Sequence, residues 1–127
     1  LYSKGYRGVF DVDFAAGKDG GLYVLESNAR MTGGTHVYHI MSYLGISGSN
    51  AYVISNDSFR YNMPTQKPEE LLARLHDVLY PIENRKRGII ISFISLNRSI
   101  IGIITIGKNK KDALYLSQRA KYCLNEH

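Results

Sequence analysis

Asp11, Asp13, Glu26 and Asn28 are oxygen-bearing side chains spaced for a common site. Residues Gly8 to Ala16 alternate in character: Val9, Asp11, Asp13 and Ala15 fall on one face, and Phe10, Val12, Phe14 and Ala16 on the other. That pattern predicts a strand with an apolar back. Gly17-Lys18-Asp19-Gly20-Gly21 is turn chemistry, because glycine supplies positive φ without steric cost. Leu22 to Ser27 is predicted as a second strand, completing an antiparallel hairpin. If Gly17 pairs with Leu22 across a four-residue turn, Asp13 lies opposite Glu26 and Asp11 opposite Asn28. Three carboxylates and a carboxamide then share a face. Directly opposed like charges are unfavourable in a sheet, so a partner must offset them. Oxygen donors without His or Cys suit magnesium better than zinc. The expectation is that Asp13, Glu26 and Asn28 converge on one ion. The bland alternative is the wet polar side of a surface hairpin.

Other chemistry-bearing residues are thinner. His36 and His39 sit three apart on a predicted helix, without a third ligand at metal spacing. They read as a substrate contact or a partly buried pair. Arg85-Lys86-Arg87 is a short basic cluster of the kind that usually forms a solvated linker. The ten tyrosines are scattered and not interleaved with it, which gives little support to base stacking. Cys123, beside Leu124 on the last predicted helix, reads as core rather than nucleophile.

The elements that must carry these residues follow from periodicity. Thr35 is expected to cap a helix through Val37, Ile40, Met41 and Leu44, stopped by Gly45. Ser49 to Ser55 is predicted as a short helix and Asn56 to Lys67 as a loop. Pro68 opens a helix from Glu69 to Leu79, with acids at its positive end. Gly88 to Leu96 and Ser99 to Ile106 are β-branched runs joined at Asn97-Arg98. Asn109 caps a last helix, Lys110 to Leu124, with an apolar stripe of Ala113, Leu116, Ala120 and Leu124.

Charge divides the chain unevenly. Residues 1–84 hold seven Lys/Arg and nine Asp/Glu, whereas residues 85–127 hold nine and two. A boundary around Pro81 to Arg87 is therefore expected, giving 1–84 as one unit and a small basic ββα unit at 85–127 packed on it. At 127 residues with 44% hydrophobic and 21% charged content, the chain is not a disordered or low-complexity protein. No apolar run approaches the roughly 20 residues of a membrane span. One cysteine excludes an internal disulfide framework and a cysteine-rich zinc site, and fits a reducing, cytoplasmic setting. The start at Leu1, with Tyr2 to Phe14 reading as mid-domain sequence, leads to the expectation of a C-terminal piece of a longer protein.

Glu26-Ser27-Asn28-Ala29-Arg30, after apolar Tyr23-Val24-Leu25 and before Thr32-Gly33-Gly34-Thr35, resembles the closing motif of the ATP-grasp ligases. That motif reads glutamate, any residue, asparagine, any residue, arginine at a strand end, with an acidic residue about thirteen positions earlier; Asp13 stands there. The resemblance covers Gly5 to about Leu44, and Ile100 to Ala120 is more loosely similar to the small C-terminal subdomain of the carboxylase and peptide-ligase branches. It implies an α+β fold: the end of an ATP-grasp catalytic lobe, hairpin plus helices, followed by the ββα subdomain. It implies that Asp13, Glu26 and Asn28 hold magnesium (or manganese) against ATP phosphates. Arg30 would face the transferred phosphate or an acyl phosphate, and Gly33, Gly34 and Thr35 an anionic substrate group. The implied reaction activates a carboxylate for attack by an amine or thiol. The family's usual proline before the arginine is Ala29 here, and its nucleotide-holding lysines and glycine-rich lid have no counterpart. Upstream domains of the same protein are thus expected partners, and the isolated chain is expected to be inactive. A membrane is not expected as a partner, nucleic acid is disfavoured, and a homo-oligomer stays open. The alternative function is a non-catalytic basic domain, 85–127, that binds nucleic acid or another anionic partner.

Overall fold

Apolar periodicity and turn chemistry resolve into an α+β chain with two antiparallel sheets and three helices, described for residues 2–48, 50–64 and 67–125 of a computed structural model. The chain separates into two compact units, 1–44 and 45–127. The division follows Leu44 rather than the expected Pro81 to Arg87. Its cause is a strand hidden in polar sequence, described below.

In the first unit, β1 (Asp11–Ala16) and β2 (Leu22–Asn28) form a two-stranded antiparallel sheet. Gly8 to Phe10, expected in the strand, lie outside it. Gly8 takes φ 149°, and the Tyr6 hydroxyl donates to the Val9 carbonyl at 2.6 Å, so the entering chain bends before pairing begins. Helix α1 (Thr35–Tyr43) follows. Its N-cap is Gly34, not Thr35, and it makes no side-chain cap hydrogen bond. Gly45 at φ 60° ends the helical path as expected, a left-handed conformation that suits glycine. Among the described residues of this unit only Thr35 is buried.

In the second unit, β3 (Tyr52–Arg60), β4 (Gly88–Ser95) and β5 (Ile100–Gly107) form an antiparallel sheet in the order β3-β5-β4. The expected helix at Ser49 to Ser55 is therefore strand from Tyr52 onward, and the expected loop is strand as far as Arg60; Ser49, Thr65 and Gln66 lie outside the described residues. The pairing shifts between Asn56 and Phe59, where the Ser58 N–H donates to Asn56 Oδ1 at 2.9 Å. This Asx turn bulges an edge strand, and pairing then resumes at Phe59. Because β3 belongs to the same sheet as β4 and β5, no boundary can fall between residues 84 and 85.

Helix α2 (Pro68–Leu75) ends a turn earlier than expected, passing into a tight turn at His76–Val78. Leu79 is extended, and the Tyr80 N–H donates to the Ile89 carbonyl at 2.9 Å, drawing the chain onto the sheet. Helix α3 (Lys110–Asn125) buries the expected stripe: Ala113, Leu116, Ala120 and Leu124. One cluster joins Leu71 and Leu75 of α2, Leu116, Ala120 and Leu124 of α3, and Ile89, Ile101 and Ile103 of the sheet. Burying a Leu or Ile side chain contributes about 1.5–3 kcal/mol, so this cluster is the main stabilising feature of the unit. Cys123 packs partly buried against it, as expected for core.

Candidate functional site

The hairpin turn sets where the acids stand. Gly17 N–H donates to the Gly21 carbonyl at 2.8 Å and Gly20 N–H to the Gly17 carbonyl at 3.0 Å, with Gly20 at φ 80°. The connecting loop is thus Lys18-Asp19-Gly20, one residue shorter than expected, and Ala16 rather than Gly17 pairs with Leu22. Asp19 fastens it: Oδ1 accepts the Gly21 N–H at 3.0 Å, and Oδ2 accepts the Tyr23 hydroxyl at 2.5 Å. The Tyr23 and Gly21 donors hold the Asp19 carboxyl below its ordinary range, and the same bond raises the Tyr23 phenol.

A shorter turn would displace every later pair by one residue. A bulge between Asp13 and Phe14, with Leu25 as the extra residue on β2, restores the expected register. Asp13 pairs with Glu26, Val12 with Ser27 and Asp11 with Asn28. The bulge also sorts the strand faces, since a one-residue slip moves side chains to the opposite side. Phe14 stands opposite Val24 and Ala16 opposite Leu22, so those apolar residues share the back with Val12. Asp11, Asp13, Glu26 and Asn28 share the front. Tyr23, opposite Ala15, joins the front. Neither the bulge nor the role of Tyr23 was expected; the signal was the consecutive apolar pair Val24-Leu25, which breaks period-two alternation.

Beyond Asn28 the chain turns sharply, with the Arg30 N–H donating to the Asn28 carbonyl at 2.9 Å. The Arg30 side chain folds back, Nη2 donating to Asn28 Oδ1 at 3.1 Å and Nη1 to the Met31 carbonyl at 3.3 Å. The guanidinium therefore stands at the end of the acidic face. Thr35 serves the loop: its Oγ1 accepts the Thr32 N–H at 2.9 Å, and its own N–H donates to the Thr32 carbonyl at 3.0 Å. That N–H is spent locally, so of the three residues expected at an anion, Gly33 and Gly34 are the better placed. A Cβ at either glycine would meet nothing within 4 Å, which leaves room for a ligand to approach the backbone.

Among the described residues no three His, Cys, Asp or Glu side chains come together as a group that could hold a metal ion. Magnesium rarely needs a dedicated all-protein cage, since it keeps several waters and takes one or two carboxylates plus substrate phosphates. The donor set fits that pattern: Asp13 and Glu26 are directly opposed, all donors are oxygen, and Asn28 Oδ1 keeps a second lone pair beside its Arg30 bond. His36 is half-buried, and exposed His39 stands edge-on to Tyr38 at 5.6 Å.

The basic cluster at 85–87 does not act as one patch. Arg87 forms a forked pair with Asp112, Nη2 to Oδ1 at 2.6 Å and Nε to Oδ2 at 3.2 Å. Lys86 Nζ reaches the Gly45 carbonyl at 3.5 Å, and Arg85 lies 3.8 Å from Glu83. No helix among the described residues is long and apolar enough to cross a membrane. In comparisons with known proteins, no family model matches the chain and no curated protein matches it.

Proposed function

We propose that this chain supplies the magnesium- and phosphate-facing part of an ATP-grasp-type ligase, which activates a carboxylate as an acyl phosphate for attack by an amine or thiol. The observation that carries the reading is the pairing of Asp13 with Glu26 and of Asp11 with Asn28, closed by Arg30 on the Asn28 amide. It agrees with the Glu26-x-Asn28-x-Arg30 spacing and its acidic predecessor Asp13.

In this reading Asp13, Glu26 and Asn28 would hold magnesium, which would neutralise phosphate charge. Asp13 and Glu26 stand opposed across the strand pair, and Asn28 Oδ1 is held by Arg30. Arg30 offers a planar fork to an oxyanion of the transferred phosphoryl group. Gly33 and Gly34 leave the backbone open to an anionic substrate group. Positioning and charge stabilisation, rather than proton transfer, are the protein's part in such chemistry.

The test is Glu26→Gln in the intact protein, read as ADP release at saturating magnesium and ATP. Size and hydrogen bonding are kept while one charge is lost, so kcat should fall about 100-fold or more. Asp19→Asn, in the turn, should stay within about two-fold of the parent, since surface changes remote from a site are near neutral. Near-normal kcat in Glu26→Gln would remove Glu26 from the mechanism.

A further inference from the structure

Strand β3 lies at an edge of its sheet, and its bulge meets the C-terminal half of α3 at a small hollow. The hollow, about 260 Å³, is lined by Asn56, Ser58, Phe59 and Arg60 of β3 and by Lys121 of α3. Phe59 is buried and the four polar residues are exposed. Asn125 ties the two elements together. Its Oδ1 accepts the Asn62 N–H at 2.9 Å, and its Nδ2 donates to the Lys121 carbonyl at 2.8 Å. The backbone that carries Lys121 is thereby fixed to the backbone just past Arg60. The donors in the hollow are uncommitted. Asn56 Oδ1 accepts the Ser58 N–H, which leaves the Asn56 amide nitrogen to donate. Among the described residues no hydrogen bond or ion pair engages the Ser58 hydroxyl, the Arg60 guanidinium or the Lys121 ammonium. No carboxylate among them lines the hollow, and Asp57, in the same bulge, has a partner of its own.

We propose that this hollow binds a phosphate group, free or as a phosphomonoester. Two unpaired cations at one hollow repel, and an anion between them removes that repulsion. The Arg60 fork can take two oxygens of one anion, while Lys121 supplies a point charge from the helix side. The Ser58 hydroxyl and the Asn56 amide add neutral donors. Donors from both elements suit a tetrahedral phosphate, with its several acceptor oxygens, better than a planar carboxylate with two. The second unit carries twelve Lys and Arg against seven Asp and Glu, so its field also favours an anion. The site is open and its cations are solvated, so binding is weak and falls as salt rises. It lies in the second unit and stands apart from the role proposed for Asp13, Glu26, Asn28 and Arg30 in the first.

The test is an amide-shift titration of the isotope-labelled chain with inorganic phosphate and, in a second arm, with glycerol 3-phosphate. Sodium chloride holds ionic strength constant. Signals of Ser58, Phe59, Arg60 and Lys121 should move together and saturate in the millimolar range. Arg60→Gln and Lys121→Gln should each weaken binding about five-fold or more, the scale of one exposed charge pair lost. The double substitution should abolish saturation, and Lys111→Gln, elsewhere on α3, should bind like the wild type. Amide signals unchanged away from each substitution show that the variant is folded. Tighter binding of the ester would assign the hollow to a phosphomonoester, and equal or weaker binding to the free anion. Shifts that rise without saturating, or that are as large beside exposed cations such as Lys111, would mark an ion atmosphere only and overturn the proposal. So would saturation that survives the double substitution, or shifts confined to Arg30 to Thr35 in the first unit.

Discussion

Asp112 shows how a committed carboxylate is treated in this chain. It takes the Arg87 fork, accepts the Lys108 N–H at 3.0 Å, and its own N–H donates to Asn109 Oδ1 at 3.0 Å, so the start of α3 is capped from both sides. Burial pushes this carboxyl up, but the Lys108 N–H and the Arg87 charge outweigh it and hold the group below its ordinary value of 3.8. A depressed carboxyl contributes stability above its unfolded value and loses it as pH falls through the folded one. Asp112→Asn should therefore cost about 2 kcal/mol at neutral pH, the scale of charged hydrogen bonds that are mostly buried. The gap from wild type should close on acidification, as urea unfolding at a series of pH values would record. A gap independent of pH would assign the loss to capping alone. Asn109 as the cap was legible from its place before the apolar stripe. The Arg87 bond was not, because a basic run looks alike whether its members are solvated or individually paired.

At the scale of elements, the legible parts were those with strong period or strong turn chemistry. The α3 stripe and the β4 and β5 runs are dense in apolar residues at one spacing, and the structure follows them within a residue or two. Strand β3 was illegible because its second half, Ser55-Asn56-Asp57-Ser58, carries turn residues at an exposed edge. Tertiary pairing with β5 overrides that local preference. The register of Asp13 with Glu26 was expected from a four-residue turn, yet it arises from a three-residue turn plus the Leu25 bulge. Two unforeseen features cancel, leaving the acidic face where the alternation put it. Close approach also acts at this scale. A Cβ on Gly107 would run into the Ala113 nitrogen and lie 2.7 Å from its Cα, so β5 and α3 meet backbone to backbone. Gly107→Ala should destabilise the second unit by about 1–3 kcal/mol, the usual range for overpacking. Gly33→Ala, which meets no neighbour, should change stability by less than about 0.5 kcal/mol. Equal melting shifts for the two would contradict the close approach.

Across the whole molecule, stability and the proposed chemistry lie in different units. The second unit holds the cluster of buried Leu and Ile; the first leaves Phe14 57% and Val24 63% exposed on the apolar back of its hairpin. The composition did not announce this split, because net charge tracks surface and not pairing. It divides the chain near residue 84, whereas contacts divide it after Leu44. That one face of the first unit takes a divalent ion can be read on the 127-residue chain itself. Manganese added in substoichiometric amounts to isotope-labelled protein broadens amide signals near wherever it binds. Broadening should centre on Asp11 to Asp13 and Glu26 to Arg30, be abolished by Asp13→Asn with Glu26→Gln, and be retained in Asp19→Asn. Broadening centred elsewhere, or unchanged by the double substitution, would contradict it.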